Sequence, residues 1–291
     1  MPRPNAPDAP ARRSDEHFLI ARDGTAVHYW YWPVTAAGLK PRGTVLMVHG
    51  AGEYGERYRA FGEHLNSRGY HAAAVDLRGF GQSGGPRAFV RRFSDYTEDI
   101  SAVAEQVLRL SDMPSLHLLG HSMGGLAAAS AAADERPVRI ASLILSSPCF
   151  ALQFPVPAHL RAIGALCSLL KPAQLFATKA ISELLTHDPA IARHHREDPR
   201  IVHFMSARLF FEMHRQMRDF KNLARRISVP TAVFQAEDDR VVNRRASRTF
   251  FEILPNPAKR WTLYPGLFHE ILNETSRLSV YEDVVSYLDS V

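Results

Sequence analysis

Gly120-His121-Ser122-Met123-Gly124 sets a serine between two glycines, after the apolar run Leu116 to Leu119 and before an alanine-rich stretch from Met123 to Ala133. A hydroxyl on so sharp a strand-to-helix turn can be the nucleophile of an acyl transfer. The turn needs glycine two residues to either side because a Cβ there would clash. It holds Ser122 in a strained conformation with Oγ exposed, and the N–H groups that follow open a helix N-terminus suited to an oxyanion. Such a serine needs a base and an acid to orient that base. Glu237-Asp238-Asp239 and then Phe268-His269-Glu270 supply both downstream, in the chain order serine, acid, histidine. His269 is expected to be the base, and one of the acids at 237–239 its orienting partner. Upstream, His49-Gly50-Ala51-Gly52-Glu53 closes another apolar run. The Ala51 N–H, with that of Met123, is the expected oxyanion hole. A serine that merely caps a helix would require none of these partners.

Positioning these groups calls for strands that end together. Thr44 to Val48, His71 to Val75, Leu116 to Leu119, Ile140 to Leu145, Val229 to Ala236 and Arg260 to Tyr264 are short apolar runs, of the kind found in parallel strands covered on both faces. Helical patterns separate them: Arg57 to Arg68 closed by Gly69, Ser94 to Leu110 with Ile100, Val103, Val107 and Leu110 on one face, Arg244 to Leu254, and Ser276 to Leu288. His17 to Pro33 reads as a β-hairpin on one sheet edge, turning on the two residues Asp23-Gly24. The glycine-dense loop after Asp76 reads as one whose side chains, Asp76 and Arg78 included, hydrogen-bond its own backbone.

Between Ala151 and about Arg226 the strand signal disappears. Two apolar groups remain, from Leu152 to Leu170 and from Phe204 to Phe220, and Arg161 and Lys171 keep the first far short of the roughly 18 residues of a membrane span. Inserted between two strands, the segment reads as a helical cap over the active-site end of the sheet. Its long, flexible side chains would suit an acyl chain, although ordinary helix packing accounts for most of them. His187, His194 and His195 near Asp188 and Asp198 have irregular spacing for a metal site and read as a solvated loop. His269-Glu270-Ile271-Leu272-Asn273 lacks the second histidine of a zinc-protease helix.

With 291 residues, 46% of them hydrophobic, the chain can bury a large core. Cys149 and Cys167 have neither metal nor redox spacing, which fits a reducing compartment with both as small buried hydrophobes. Residues 1–16 read as a disordered tail, rich in Pro, Ala and Arg and without the apolar core of a signal peptide. The expected location is the cytoplasm, with peripheral membrane contact left open. The net charge of +5 is spread over scattered arginine pairs, so no nucleic-acid partner is expected.

Five motifs in order, the serine turn, the His49 to Glu53 loop, the Asp76 loop, Asp239-Arg240-Val241-Val242 and His269-Glu270, resemble the monoacylglycerol lipase and lysophospholipase group of α/β-hydrolases from about Phe18 onward. The resemblance implies a mostly parallel sheet with helices on both faces, divided as core 17–150, cap 151–226 and core 227–291. It also implies Asp239, in preference to Asp238, as the acid beside Ser122 and His269, with Ala51 and Met123 as the oxyanion hole and no metal or organic cofactor. The activity to expect is ester hydrolysis through an acyl-enzyme on a lipid such as a monoacylglycerol or lysophospholipid. A small-ester esterase or serine aminopeptidase of the same fold is the nearer alternative, and a non-catalytic binding protein the more distant one. Epoxide hydrolases and dehalogenases of this fold carry Asp where Ser122 stands. Tyr54 replaces a frequent histidine after Glu53, and Leu77 and Phe80 replace others in the Asp76 loop. The cap follows the group only loosely.

Overall fold

The computed structural model of the chain describes residues 15–35, 38–134, 138–154, 156–178 and 182–291. An eight-stranded sheet runs through it in the order β1 (Glu16–Ile20), β2 (Ala26–Trp32), β4 (Tyr70–Val75), β3 (Gly43–Val48), β5 (Leu116–His121), β6 (Ile140–Ser146), β9 (Thr231–Ala236) and β10 (Lys259–Tyr264). From β4 to β10 all pairings are parallel, while β2 joins β4 and β1 antiparallel. Seven of the eight strands therefore run in one direction, with β2 opposing them, and the carboxyl ends of the six parallel-paired strands open on one rim. Strands β3, β4, β5 and β9 are buried along their whole length because helices cover both faces. On one face lie α2 (Ser94–Ser111), α3 (Met123–Ala132) and α8 (Arg244–Ile253); on the other, α1 (Arg59–Ser67) and α9 (Arg277–Leu288).

Several local expectations need correction. The hairpin does not turn on two residues: pairing stops at Ile20 and Ala26, and five residues connect the strands, with Asp23 accepting the Thr25 N–H and Gly24 in a left-handed conformation. The structured chain already includes Asp15, whose carboxylate takes the Trp32 indole N–H at 3.1 Å and pairs with Arg59 at 2.7 Å. The predicted tail thus loses its last two residues to the fold, and residues 1–14 lie outside the described residues. On α2 the apolar face runs through Ile100, Val103, Val107 and Leu108, whereas Leu110, in phase with Val103 but in the last turn of the helix, is exposed. Cys149 is buried as expected, whereas Cys167 is only partly so.

Between β6 and β9 the chain leaves the sheet for α4 (Ala158–Leu170), α5 (Pro189–Glu197), α6 (Ala207–Arg218) and α7 (Phe220–Arg226). This excursion is not purely helical. A short antiparallel ribbon, β7 (Leu175–Ala177) with β8 (Phe204–Ser206), crosses it, too brief to stand out from the surrounding leucines and phenylalanines. The two apolar groups also behave differently from each other. Leu209, Met213 and Met217 of α6 are buried in the main core, as ordinary packing predicts. Phe154, Leu169 and Leu170 are 75, 74 and 72% exposed, and Leu160, Ile163 and Leu166 lie largely in solvent as well. Helix packing therefore does not account for this group: in α4 only Gly164 and Ser168 are buried, along a seam where Arg208 donates to the Ser168 hydroxyl at 3.2 Å.

Of the histidines read as a loop, His194 and His195 belong to α5, which Asp188 caps by accepting the Ala190 and Ile191 N–H groups, while His187 stays in the loop before it. His195 is buried against the Ser182 hydroxyl at 3.0 Å, and His194 pairs with Asp198 at 3.3 Å. Among the described residues no helix is long and apolar enough to cross a membrane.

Candidate active site

Ser122 lies between β5 and α3 with φ 53° and ψ −122°, a backbone conformation that disfavours any side chain. Its neighbours explain why the strain persists. A Cβ on Gly120 would collide with the Gly124 carbonyl oxygen, and one on Gly124 with the carbonyl oxygens of Val48 and His49. The Ser122 N–H is held by the Ser146 carbonyl at 3.1 Å, and its own carbonyl receives the Cys149 N–H at 2.9 Å. The elbow is thus fixed from both adjacent strands, and Oγ has nowhere to point but the rim of the sheet.

His269 follows β10 on the loop that begins at Pro265. Its Nε2 lies 2.9 Å from Ser122 Oγ, and its Nδ1 lies 2.8 Å from Asp239 Oδ2. A carboxylate only accepts, so Nδ1 carries the proton and Nε2 is free to receive the serine's. Asp239 is itself oriented: Oδ1 takes the Val241 and Val242 N–H groups at 2.9 and 2.8 Å, and Gln235 Nε2 approaches Oδ2 at 3.3 Å. Asp238 stays exposed on the surface of the same turn. The choice between these acids, open on residue pattern alone, falls geometrically on Asp239. Ser122, Asp239 and His269 are all nearly buried.

The loop after β3 closes the site. A Cβ on Gly50 would sit 3.1 Å from Ser122 Cβ, which brings the His49 to Gly52 backbone against the serine. His49 fixes that loop, since Leu77 N–H donates to its Nε2 at 2.9 Å and its Nδ1 donates to the Gly50 carbonyl at 2.7 Å. Gly52, with φ +85°, turns its carbonyl to the Val202 N–H of the excursion at 2.9 Å. Ala51 lies exposed between these anchors, and Met123 opens α3 on the opposite side of the serine.

Sequence reasoning missed a buried ionic cluster behind the histidine. Arg57 is clamped between Glu53, which it meets in a very short contact, and Glu270, at 2.7 and 3.1 Å. Glu53 also accepts the Gly50 N–H at 3.1 Å, and the His121 ring stands 4.7 Å from that of His269. The signals were there: Glu53 and Arg57 are four residues apart, and Glu270 adjoins His269. Burial disfavours the imidazolium of His269, yet the carboxylates of Asp239, Glu270 and Glu53 outweigh it and raise its pKa above 6.5. Burial likewise opposes ionisation of Glu270, but Arg57 brings its pKa down to about 2. Burial holds His121 neutral, with a pKa pushed down to about 4.

The Asp76 loop is structural, but of Asp76 and Arg78 only Asp76 bonds the loop's own backbone, accepting the Gln82 N–H at 2.8 Å as well as the Gly55 N–H at 2.6 Å and bonding His28 at 2.9 Å; Arg78 instead pairs with the carboxylates of Asp99 and Asp23 outside the loop. Among the described residues no group of three or more His, Cys, Asp or Glu side chains could hold a metal ion.

The profile of the family described as serine aminopeptidase, S33, matches residues 39–276. Phospholipase YtpA of Bacillus subtilis is 30% identical over 261 residues, 89% of this chain and 98% of that protein. A monoacylglycerol lipase of Mycolicibacterium smegmatis is 27% identical over 281 residues, 94% of this chain and 97% of its own length. Among solved structures, the Paleococcus ferrophilus monoacylglycerol lipase matches with a TM-score of 0.81 at 26% identity, covering 91% of this chain and 98% of that one. A soluble variant of Saccharomyces cerevisiae monoglyceride lipase in complex with a substrate analog matches in fold with a TM-score of 0.84 at 24% identity, over 100% and 99% of the two chains.

Proposed function

The chain belongs to the serine aminopeptidase S33 family of α/β-hydrolases, and from that premise we propose that it hydrolyses carboxylic esters of lipids, a monoacylglycerol or a lysophospholipid, through an acyl-enzyme on Ser122. The relatives named as phospholipase and monoacylglycerol lipase support the substrate class. The observation that carries the reading is the unbroken line from Asp239 Oδ2 through both nitrogens of His269 to Ser122 Oγ.

In this reaction Nε2 of His269 takes the hydroxyl proton as Oγ attacks the ester carbonyl carbon. The negative charge moves to the carbonyl oxygen, where the N–H groups of Ala51 and Met123 receive it. Asp239 holds the productive tautomer and stabilises the imidazolium, which then protonates the departing alcohol. Water, deprotonated by the same nitrogen, cleaves the acyl-enzyme and restores Ser122. No metal or organic cofactor enters these steps.

Residues 151–226 act in this reading as the cap, and the exposed leucines of α4 favour a lipid over a small dissolved ester. They are the surface through which the protein touches a membrane or a lipid aggregate peripherally. The test is hydrolysis of a series of monoacylglycerols, lysophospholipids and p-nitrophenyl esters by wild type and Ser122→Ala. The expected result is a rate that peaks at one head group and a long chain, and that falls by about 10⁴-fold or more in Ser122→Ala. Turnover of short activated esters alone would replace the lipase with the small-ester esterase, and cleavage of N-terminal peptide bonds alone with the aminopeptidase. A rate indifferent to Ser122 would remove the mechanism altogether.

A further inference from the structure

One carboxylate that takes no part in the proposed reaction joins the excursion to the loop carrying His269. Glu274 is fully buried, at 0% exposure. Its Oε1 accepts the Phe268 N–H at 2.9 Å and the Nδ1–H of His187 at 2.9 Å; its Oε2 accepts the His187 N–H at 3.1 Å and the Thr275 N–H at 3.2 Å. Four N–H groups point at it, with the Thr186 hydroxyl oxygen a further 3.5 Å from Oε2, so the pocket suits an acceptor on both oxygens; an amide would turn its NH₂ against at least one N–H. Phe268 immediately precedes His269, and its ring is stacked on His187 with centroids 3.7 Å apart. Two further bonds run alongside: Glu270 N–H donates to the Leu185 carbonyl at 2.8 Å, and the Thr186 hydroxyl to the Asn273 carbonyl at 2.9 Å.

We propose that Glu274 is a positioning residue for His269: by holding the Phe268 N–H and His187 on one carboxylate, it fixes the histidine loop against residues 185–187 and keeps Nε2 within reach of Ser122 Oγ. The inference rests on the reading of His269 as the base. The physical reason is sensitivity to distance. Proton transfer needs Nε2 within hydrogen-bonding range of Oγ, and a displacement near 1 Å costs about 10²-fold in rate. The His269 loop starts at a turn, Pro265-Gly266, with Gly266 at φ +72°; the Asp238 N–H holds its Leu267 carbonyl at 3.1 Å, and at the next residue the Phe268 N–H goes to Glu274.

The experiment measures kcat and KM for p-nitrophenyl butyrate with the full chain as wild type, Glu274→Gln, His187→Asn, the double variant and His269→Ala, alongside circular dichroism. Glu274→Gln is expected to lower kcat by about 10²-fold, with KM nearly unchanged and the protein folded. His187→Asn lowers kcat less, and adds nothing in the Glu274→Gln background because both act through the same contact. A Glu274→Gln protein with wild-type kcat overturns the proposal, as does a loss confined to KM or one matched by the loss of folded protein. Should Glu274→Gln not fold, His187→Asn decides: a lowered kcat at unchanged KM supports the clasp, and an unchanged kcat overturns it. Wild-type rates in His269→Ala would instead sink the underlying assignment of the base, a result distinguishable from all of these.

Discussion

The two halves of the excursion between β6 and β9 are built on opposite principles. Residues 182–206 are stitched to the core loops: Glu270 N–H meets Leu185, Val202 N–H meets Gly52, and Tyr54 donates to Asp198 in a short bond beneath the Arg200 guanidinium. The stem at residues 151–153 is tied down too, by a β-bridge of Leu152 to Val242 beside the turn of Asp239. Helix α4 rests on α6 and turns a row of leucines to water. Polar bonds of fixed length and direction hold the side that faces the chemistry. The other side carries apolar surface whose attraction is non-directional and needs no registered partner. Geometry is thus specified by directional bonds on the side toward His269, and on the α4 side the apolar surface is left without such bonds.

The comparison breaks most visibly at Arg57. Replacing it with Met leaves the Glu53 and Glu270 carboxylates buried without their cation, and the expected cost is about 3–5 kcal/mol, read by urea denaturation. A smaller loss would mean that water reaches the cluster. One helix away, Leu209→Ala should cost about 2–5 kcal/mol for the cavity left in a full core, while Leu169→Ala on α4 should stay within about 0.5 kcal/mol. Equal costs at the two leucines would erase the distinction between the halves.

A third measurement asks what the loose half contacts. Each leucine transferred into hydrocarbon contributes about 1.5 kcal/mol or more. Leu166, Leu169 and Leu170 changed together to Ser should therefore weaken cosedimentation with phosphatidylglycerol vesicles by at least about tenfold, and leave turnover of a dissolved short ester unchanged. Vesicle binding that ignores the triple change would move the contact elsewhere. The smallest effect is in pH. In the proposed reaction the neutral imidazole of His269 is the active form, and the carboxylates around it raise its pKa, so kcat/KM should climb with pH through an apparent pKa above 6.5 and then level off. Glu270→Gln should move that midpoint downward; an unmoved midpoint would show that Arg57 already neutralises Glu270 at the histidine.

What the sequence disclosed follows from how local each constraint is. The elbow was legible because its strain demands glycine at 120 and 124, and the parallel core because strands covered on both faces must be continuously apolar. Asp239 and Asp238 were indistinguishable as chemical groups; the Val241 and Val242 N–H groups that select one exist only once the turn is folded. The Glu270 to Arg57 contact spans 213 residues, beyond any local pattern. Leu110 is in phase with the buried Val103, yet it lies in the last turn of α2 and is exposed, and periodicity does not say where the cover over a helix ends. The leucines of α4 look the same whether they meet protein or lipid, since apolarity alone names no partner.

The bonds from Leu185, Val202 and Leu152 to the core also bear on covalent continuity. Each reaches the core loops without passing through α4, and the Pro172 and Gln174 carbonyls of the turn at 171–174 are held by the Arg208 and Ala207 N–H groups at the start of α6. A single proteolytic nick there would yield two fragments that copurify and still turn over a soluble ester, and the same turn is where a foreign segment could be spliced in without disturbing the serine.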